Sequence, residues 1–483
     1  MAVIEGPVPV GPDGAGKGSI VLGPPGFDLA TVDYREVELF VSGEARSYTS
    51  DRPLTPDGRW DVRPADSAPF TTRVVVRRPV DASRFDGTVV VEWLNVSGGL
   101  DASPDWTYLH VGLVRSGSVW IGVSAQVVGI DGLHPDDPGS FMALKVADPE
   151  RYGSLSHPGD DFSYDIYRQV GALVRDRADQ LLDGLVPERV LAIGESQSAF
   201  RLSTYVNAVA PTSTAYDGFF VHSRAAIGAP LRLGRRVNGL STDHLPPPEV
   251  GAPDPTLVRT DLDVPVLVIS AETDLVGEHL GYARARQPDS PTFRSWEVAG
   301  TAHGDAYQLG IGDTDDGSGA ADAALFAAMS DPPSSVYYGV ITCASPINAG
   351  PQTYVLRAAL HALDRWVRTG EPPPSMPRLE LDDAGTGFRL DPSGNVLGGV
   401  RTPQIDVPIA ALSGLGQDGD SFCRLFGTTA PFDPAELTLR HGDHLGFVAA
   451  WSVATDAAVA AGVVLPVDGE HLKRAAAGST IGT

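Results

Sequence analysis

The chain has 483 residues, 42% of them hydrophobic, so it is long enough to bury roughly three quarters of the surface that its unfolded form exposes. Its formal net charge of -25 argues against nucleic acids and anionic membranes as partners, because phosphate binding needs concentrated Lys and Arg.

The first residues, MAVIEGPVPV, lack a basic stretch followed by an apolar one, and no apolar run approaches the roughly 18 residues of a membrane-spanning helix. We therefore expect a cytoplasmic protein with no membrane partner. The two cysteines, Cys343 and Cys423, are too few for a disulfide framework and lack the C-x-x-C spacing of a metal or redox pair. Each is interpreted as a small buried hydrophobe, and a single bridge between them is left open.

Several strands are predicted in the first quarter of the chain. The segments YREVELFVSG (34–43) and FTTRVVVRRP (70–79) alternate apolar and polar residues, which predicts antiparallel edge strands. In contrast, GTVVVEWLN (87–95) and SVWIGVSA (118–125) are nearly continuous apolar runs, typical of strands covered on both faces of a parallel sheet. The segment DWTYLHVGLVRSG (105–117) between them has the apolar spacing of a helix.

Strands and helices continue to alternate as far as residue 300. The predicted elements are a helix at 164–182, a strand at 188–194, a helix at 198–210, and strands at 216–223, 264–270 and 295–300. This order predicts an α/β fold with a mostly parallel central sheet flanked by helices. Two stretches rich in Pro, Gly and Asp, 126–162 and 224–263, interrupt the order and are predicted to be lid-like insertions. We divide the chain into a core, 1–370, and a C-terminal extension packed on it, 371–483.

The segment VLAIGESQSAFR (190–201) places a polar cluster between a buried strand and a helix. A sharp strand-to-helix turn of this kind, with small residues around a serine, is typical of a nucleophile elbow and would present Ser196. Ser198 stands where the usual pattern has glycine, and it is the next small residue. The structural alternative is that Ser196 caps the helix that follows.

A serine nucleophile needs a histidine as base and a carboxylate to orient that histidine, and both should follow later strands of the same sheet. The segment AETDLVG, after the strand at 264–270, offers Glu272 and Asp274, and TAHGD, after 295–300, offers His303. We therefore predict a triad of Ser196, Asp274 and His303. Glu272 is the second choice for the acid, and turn or capping roles are the alternatives for Asp274 and His303.

An oxyanion hole needs two backbone N–H groups aimed at the developing negative charge. The first is predicted from Gln197, the residue after the nucleophile, and the second from the loop WLNVSGGLDASPDW (93–106), where Asn95 or Val96 is the candidate.

At this point the chain resembles a known group of proteins. The elbow, SAETD and AGTAHG resemble the α/β-hydrolase superfamily. The segments VVVEWLNVSGG, CASPINAGPQTYVLRAALHALDRWVRTGEPPP and GGVRTPQIDVP are similar to a bacterial family of large α/β-hydrolase-domain proteins with a C-terminal extension. The resemblance covers nearly the whole chain. It implies an α/β-hydrolase fold with ester-hydrolase-like machinery, and it leaves the substrate open.

Other motifs in the sequence give weaker indications of function. His441 and His444 have the i, i+3 spacing of a metal pair, but no cluster of further ligands accompanies them. Tyr164, Tyr167 and Trp366 lie at helical spacings typical of packing. Neither G-x-x-x-x-G-K-[ST] nor a G-x-G-x-x-G opening a helix occurs, so neither a cofactor nor a metal is expected.

These features predict a serine hydrolase that cleaves a carboxylic ester or a lactone through an acyl-enzyme. The alternatives are an acyltransferase with the same triad and a non-catalytic ligand-binding protein on a hydrolase fold. The Leu, Pro and Val content of the two insertions predicts a small-molecule ester that is apolar or bulky. The oligomeric state is not predicted.

Overall fold

The computed structural model describes residues 2–23, 26–132, 142–234, 247–277, 280–332, 336–337 and 341–483. The main strands are β1 Val3–Glu5, β2 Tyr34–Thr49, β3 Arg63–Pro79, β4 Thr88–Trp93, β5 Val119–Val123, β6 Arg189–Glu195, β7 Gly218–His222, β8 Val266–Ser270 and β9 Phe293–Glu297. Within the described residues these strands form one sheet in the order β1-β2-β3-β5-β4-β6-β7-β8-β9. Two small antiparallel pairs lie outside it, β10 Val336–Tyr337 with β11 Ile341–Thr342 and β12 Ala410–Ser413 with β13 Thr428–Pro431.

The sheet has a parallel and an antiparallel part. Strands β5, β4, β6, β7, β8 and β9 pair in parallel, whereas β1, β2, β3 and β5 pair antiparallel. The predicted mostly parallel sheet is therefore confirmed. The prediction that β2 and β3 lie at the edge is wrong, because β1 pairs with the outer side of β2 and β5 pairs with β3.

Helices flank the sheet. They are α1 Pro104–Ser116, α2 Val127–Asp131, α3 Leu144–Ala147, α4 Pro149–Tyr152, α5 Ser163–Asp176, α6 Ala178–Leu181, α7 Gln197–Ala208, α8 Glu272–Leu275, α9 Ala320–Ser330, α10 Gln352–Thr369, α11 Pro403–Asp406, α12 Pro434–His441, α13 His444–Ala460 and α14 Pro466–Ala477. Helix α1 packs against α10, and α10 contacts β6, β7 and β8. Helices α5 and α7 meet through Tyr167 and Tyr205, whose ring centroids are 5.7 Å apart. Tyr164, Tyr167 and Trp366 are buried, as their spacing predicts.

Strands β4 to β8 are buried along their whole length, which explains their nearly continuous apolar sequences. Because β4, β6, β8 and β9 are parallel, their carboxyl ends lie at the same edge of the sheet. The segments that follow these four strands carry the residues predicted for the oxyanion hole and the triad. The topology therefore brings together side chains that are up to about 200 residues apart in sequence.

Residues of the predicted C-terminal extension contact the sheet and share its core. Val400 forms a parallel bridge with Val298, directly after β9. Leu412, Phe447 and Trp451 belong to the same hydrophobic cluster as the strands. The division at residue 370 stays a prediction. So does the lid-like role of the two insertions, which include residues 133–141 and 235–246 that lie outside the described residues.

Cys343 and Cys423 form a disulfide bond, and both are buried. The predicted burial of both cysteines is confirmed, and the bridge that the sequence left open is present. An antiparallel β-bridge between Cys343 and Gly419 brings the two segments together. The disulfide joins cysteines 80 residues apart in sequence, a pairing that cysteine spacing alone does not show. The cytoplasmic location stays a prediction.

Removing the disulfide should destabilise the protein without altering the sheet. For a loop closed over 80 residues, the entropy of the unfolded chain predicts a loss of about 4.5 kcal/mol in the free energy of unfolding. Denaturant titrations of the wild type, with and without reductant, and of the Cys343→Ser/Cys423→Ser variant measure this loss. Two alkylatable thiols in unfolded, unreduced wild type would show that the bond does not form.

Candidate active site

The turn at Ser196 is a strained strand-to-helix connection. Strand β6 ends at Glu195 and helix α7 begins at Gln197, while Ser196 between them has φ 58° and ψ -121°. Few residues other than glycine adopt this conformation, and its presence at a site of chemistry is typical of a functional constraint. At Gly194 a Cβ atom would lie 3.1 Å from the backbone of Ser198, so the close approach of strand and helix favours glycine there.

Ser198 has a specific role in holding this turn. Its hydroxyl accepts a hydrogen bond from the Glu195 backbone N–H at 3.1 Å and donates one to the Glu195 carbonyl at 2.7 Å. The residue that replaces the usual glycine therefore closes the turn through its own side chain.

The structure brings together the three residues predicted for the triad. Nε2 of His303 lies 2.8 Å from Oγ of Ser196, and Nδ1 of His303 lies 2.6 Å from Oδ1 of Asp274. The second carboxylate oxygen of Asp274 accepts the backbone N–H of Ala271 at 2.7 Å, which fixes the orientation of the carboxylate. Asp274 is fully buried and Ser196 is half-buried, so the hydrogen-bonded chain runs from the interior to the surface of the site.

Glu272 takes no part in the hydrogen bonds that link Ser196, His303 and Asp274. Its Oε1 accepts the Gly300 N–H at 2.6 Å and its Oε2 accepts the Gly414 N–H at 2.7 Å. Burial raises the pKa of Glu272 to about 8, although both N–H groups act in the opposite direction. Glu272 thus braces the loop before His303 against the C-terminal segment.

Two backbone hydrogen bonds hold the segment that carries His303. The His303 N–H donates to Oγ1 of Thr273 at 3.2 Å, and the N–H of Gly304 donates to the carbonyl of Leu425 at 3.0 Å. Burial disfavours the charged imidazole, but the carboxylates of Asp274 and then Glu195 outweigh it, so the pKa of His303 lies above its usual range. The site therefore favours proton uptake by His303.

The two candidates of the oxyanion loop differ in their hydrogen bonds. The backbone N–H of Asn95 donates to the carbonyl of Ala102 at 2.9 Å and is already used. Among the described residues, the N–H groups of Val96 and Gln197 have no acceptor. Nδ2 of Asn95 instead donates to the carbonyl of Glu195 at 3.0 Å, which ties this loop to the elbow.

The first predicted insertion contacts the same loop. Val127 and Val128 of α2 form a small buried cluster with Val96. The carboxylate of Asp160 accepts the Val127 N–H at 3.0 Å and pairs with Nη2 of Arg201 at 2.8 Å. The insertion thus supports the loop that precedes α1 through both apolar and polar contacts.

Two buried groups near the triad are absent from the sequence prediction. Oε1 of Glu195 lies 3.5 Å from Nε2 of His303, and burial raises the pKa of Glu195 to about 7. Nδ1 of His222 lies 2.8 Å from Oδ1 of Asp105, and burial lowers the pKa of His222 to about 4, so this ring is neutral at pH 7. Both residues could have been found from the sequence, because each is a polar side chain at the last position of a largely apolar strand. Glu195 ends β6 and His222 ends β7.

His441 and His444, the pair with the spacing of metal ligands, contact backbone carbonyl groups. Nε2 of His441 faces the Pro408 carbonyl at 2.9 Å, and Nδ1 of His444 faces the Ile481 carbonyl at 2.9 Å. No group of three or more His, Cys, Asp and Glu side chains in the described part of the chain could hold a metal ion. Within the same residues, no helix has the length and apolar character needed to cross a membrane.

Solved structures similar to this chain include proteins described as hydrolases and esterases. A putative dienelactone hydrolase from Klebsiella pneumoniae subsp. pneumoniae MGH 78578 is 14% identical, covers 54% of this chain and 85% of its own, and has a TM-score of 0.27. A glucuronoyl esterase from Solibacter usitatus is 11% identical over 55% of this chain and 78% of its own, with a TM-score of 0.27. A putative carboxylesterase from Lactobacillus plantarum WCFS1 is 11% identical over 50% of this chain and 82% of its own, with a TM-score of 0.26. Likeness at this level does not indicate a substrate.

A family model gives the broader assignment. No curated protein sequence matches the chain. The model of a family described as an alpha/beta hydrolase domain matches residues 4–474, which agrees with the mostly parallel sheet flanked by helices. The chain belongs to this alpha/beta hydrolase domain family.

Proposed function

We propose that the protein is a serine hydrolase that cleaves carboxylic esters, lactones included, through an acyl-enzyme on Ser196. The observation that carries the proposal is the continuous hydrogen-bonded chain from Ser196 through His303 to Asp274, with distances of 2.8 and 2.6 Å. A serine hydroxyl is a weak nucleophile at neutral pH, and a base within hydrogen-bonding distance is what activates it.

The reaction follows from this geometry. His303 takes the proton of Ser196 at Nε2 while Oγ attacks the carbonyl carbon of the ester, and Asp274 stabilises the imidazolium through Nδ1. The imidazolium then gives its proton to the leaving alcohol oxygen as the ester bond breaks, which leaves an acyl group on Ser196. His303 next takes a proton from water, which attacks the acyl carbon, and the acid is released as Ser196 recovers its proton.

The developing negative charge needs two donors, and the backbone N–H groups of Gln197 and Val96 are proposed for this role. Gln197 is the first residue of α7, where the helix dipole also favours a negative charge. Val96 is preferred to Asn95, because the Asn95 N–H is bonded to Ala102.

We propose an uncharged ester with an apolar or bulky acyl group as the substrate. The cation closest to the elbow along α7 is Arg201, which is buried and paired with Asp160 at 2.8 Å, so it does not offer a free charge to an anionic substrate. The site also holds the buried carboxylates of Asp274 and Glu195, which disfavour an anion.

The proposal is tested with a series of p-nitrophenyl esters of increasing acyl length, a small lactone and a succinate monoester as the charged comparison. Reactions quenched in acid are digested, and the peptides are examined by mass spectrometry. We expect release of the free acid, an acyl group on the peptide that contains Ser196, and faster turnover of the uncharged esters. Ester cleavage with the acyl group on another residue, or without any acylated peptide at single-turnover times, would contradict the assignment.

A further inference from the structure

A second carboxylate lies beside the imidazole of His303. Oε1 of Glu195 is 3.5 Å from Nε2 of His303, the same nitrogen that lies 2.8 Å from Oγ of Ser196. Oε2 of Glu195 accepts a hydrogen bond from Nδ2 of Asn95 at 3.3 Å. The carboxylate is therefore held at one oxygen while the other faces the reacting nitrogen of the base.

We propose that Glu195 is a positioning residue that stabilises the protonated form of His303 while Ser196 gains and loses its acyl group. This inference rests on the proposed function, because His303 becomes positively charged when it takes the proton of Ser196. At that moment the ring lies between two carboxylates, Asp274 at Nδ1 and Glu195 at Nε2. The proton stays on His303 and still passes to the leaving oxygen, so the step needs no further reactant.

Glu195 also connects the base to the proposed oxyanion loop. Nδ2 of Asn95 donates both to the Glu195 carbonyl at 3.0 Å and to the Glu195 carboxylate, and Val96 is the next residue. A glutamine at position 195 keeps an oxygen that can accept from Asn95 and removes only the negative charge. Glu195→Gln therefore separates the electrostatic role from the structural one.

The other titratable groups around Glu195 do not replace its charge. Besides His303, the described titratable side chains that interact electrostatically with Glu195 include Asp105, Tyr108, His222 and Asp274. Burial raises the pKa of Glu195 to about 7, and the imidazole of His303 acts in the opposite direction. Because burial lowers the pKa of His222 to about 4, His222 is neutral at pH 7. Glu195 is thus a carboxyl group beside His303 whose charge can change with the protonation of His303 near neutral pH.

The sign of the expected pH effect follows from these charges. Glu195 helps to raise the pKa of His303, and the free enzyme needs His303 neutral to act as a base. In Glu195→Gln the pKa of His303 falls, so the acidic limb of the activity profile moves to lower pH. The imidazolium formed in the reaction is also less stable. An opposite charge within about 4 to 6 Å changes a pKa by about 1 to 3, so the plateau rate should fall by about 10-fold to 1000-fold.

The experiment measures the rate at which a small fluorophosphonate labels Ser196 between about pH 5 and pH 9. The proteins are the wild type, Glu195→Gln and Glu195→Asp, with Glu272→Gln as the matched control, because Glu272 is also a buried carboxyl group with a raised pKa but does not contact the imidazole. We expect a lower plateau and an acidic limb displaced to lower pH in Glu195→Gln, and intermediate behaviour in Glu195→Asp. The limb of Glu272→Gln should stay where it is in the wild type.

Labelling of Glu195→Gln at the wild-type rate, or slower labelling with an unmoved acidic limb, would overturn the inference. If Glu195→Gln does not fold, the same comparison of Glu195→Asp with the wild type decides the question. An NMR titration of His303 in the Ser196→Ala background needs no activity, and we expect a lower pKa of His303 when Glu195→Gln is added. Absence of labelling in the wild type would defeat the proposed function, whereas an unchanged His303 titration would defeat the role of Glu195.

Discussion

Ser196→Ala is expected to lower kcat for any ester substrate by about a million-fold, the loss found when the nucleophile of a comparable triad is removed. The variant should fold, because alanine meets the same backbone constraint at φ 58° and the lost hydroxyl has its hydrogen bond with His303, worth about 1 kcal/mol. Steady-state kinetics together with a thermal denaturation curve measure both effects. A folded variant that keeps more than about a tenth of the wild-type rate would contradict a role of Ser196 as nucleophile.

The chain offers a matched control for this substitution. Ser223 follows β7, the strand next to β6, and is a buried serine that also has a positive φ, 54°. Its hydroxyl has no hydrogen-bond partner among the described residues. Ser223→Ala therefore removes a serine of similar backbone geometry from the same edge of the sheet, and we expect it to keep turnover within about tenfold of the wild type.

Asp274→Asn is expected to lower kcat by about ten-thousand-fold, as the corresponding change does in a serine protease triad. The Ala271 N–H needs an acceptor and at present uses Oδ2 of Asp274. In the variant the amide oxygen would meet that N–H, and the amide NH₂ would face Nδ1 of His303. The imidazole would then carry its proton on Nε2, the tautomer that cannot take the proton of Ser196.

Glu272→Gln is the control for Asp274→Asn, because it makes the same chemical change two residues away. Glu272 bonds the N–H groups of Gly300 and Gly414 and not the imidazole. We expect this variant to lose stability, since an amide NH₂ would face one of the two N–H groups, and to keep kcat within about tenfold. Equal losses of kcat in the two variants, each measured below its unfolding temperature, would show that Asp274 has no special place in the reaction.

The fold and the meeting of the three triad residues could be predicted because both depend on local patterns. Continuous apolar runs identified the buried parallel strands, and polar residues directly after them had to lie at one edge of the sheet. Ser196, Asp274 and His303 are brought together for that reason. The sequence could not decide between Asp274 and Glu272 for the acid, or between Val96 and Asn95 for the oxyanion donor. Both choices depend on hydrogen bonds to other segments: Glu272 accepts from the N–H of Gly414, and the N–H of Asn95 donates to the carbonyl of Ala102.

The remaining differences have the same physical origin. Glu195 was visible as a carboxylate at the end of an apolar strand, but the group that it faces comes from the loop after β9. The disulfide joins cysteines that are 80 residues apart and depends on how the C-terminal segment packs. The inner position of β3 follows from its pairing with β5, which no local alternation of residues reveals. In each case a contact between segments distant in sequence decides the outcome.

The most direct test of the central claim is intact-mass spectrometry of the wild type, Ser196→Ala and Ser223→Ala after treatment with a small fluorophosphonate. The reagent reacts with a serine that a neighbouring base activates, as the 2.8 Å contact between Ser196 and His303 predicts. We expect one adduct on the wild type and on Ser223→Ala, located on Ser196, and none on Ser196→Ala. A folded wild type that takes no adduct, or an adduct that persists in Ser196→Ala, would contradict the account and favour a non-catalytic ligand-binding protein or a different nucleophile.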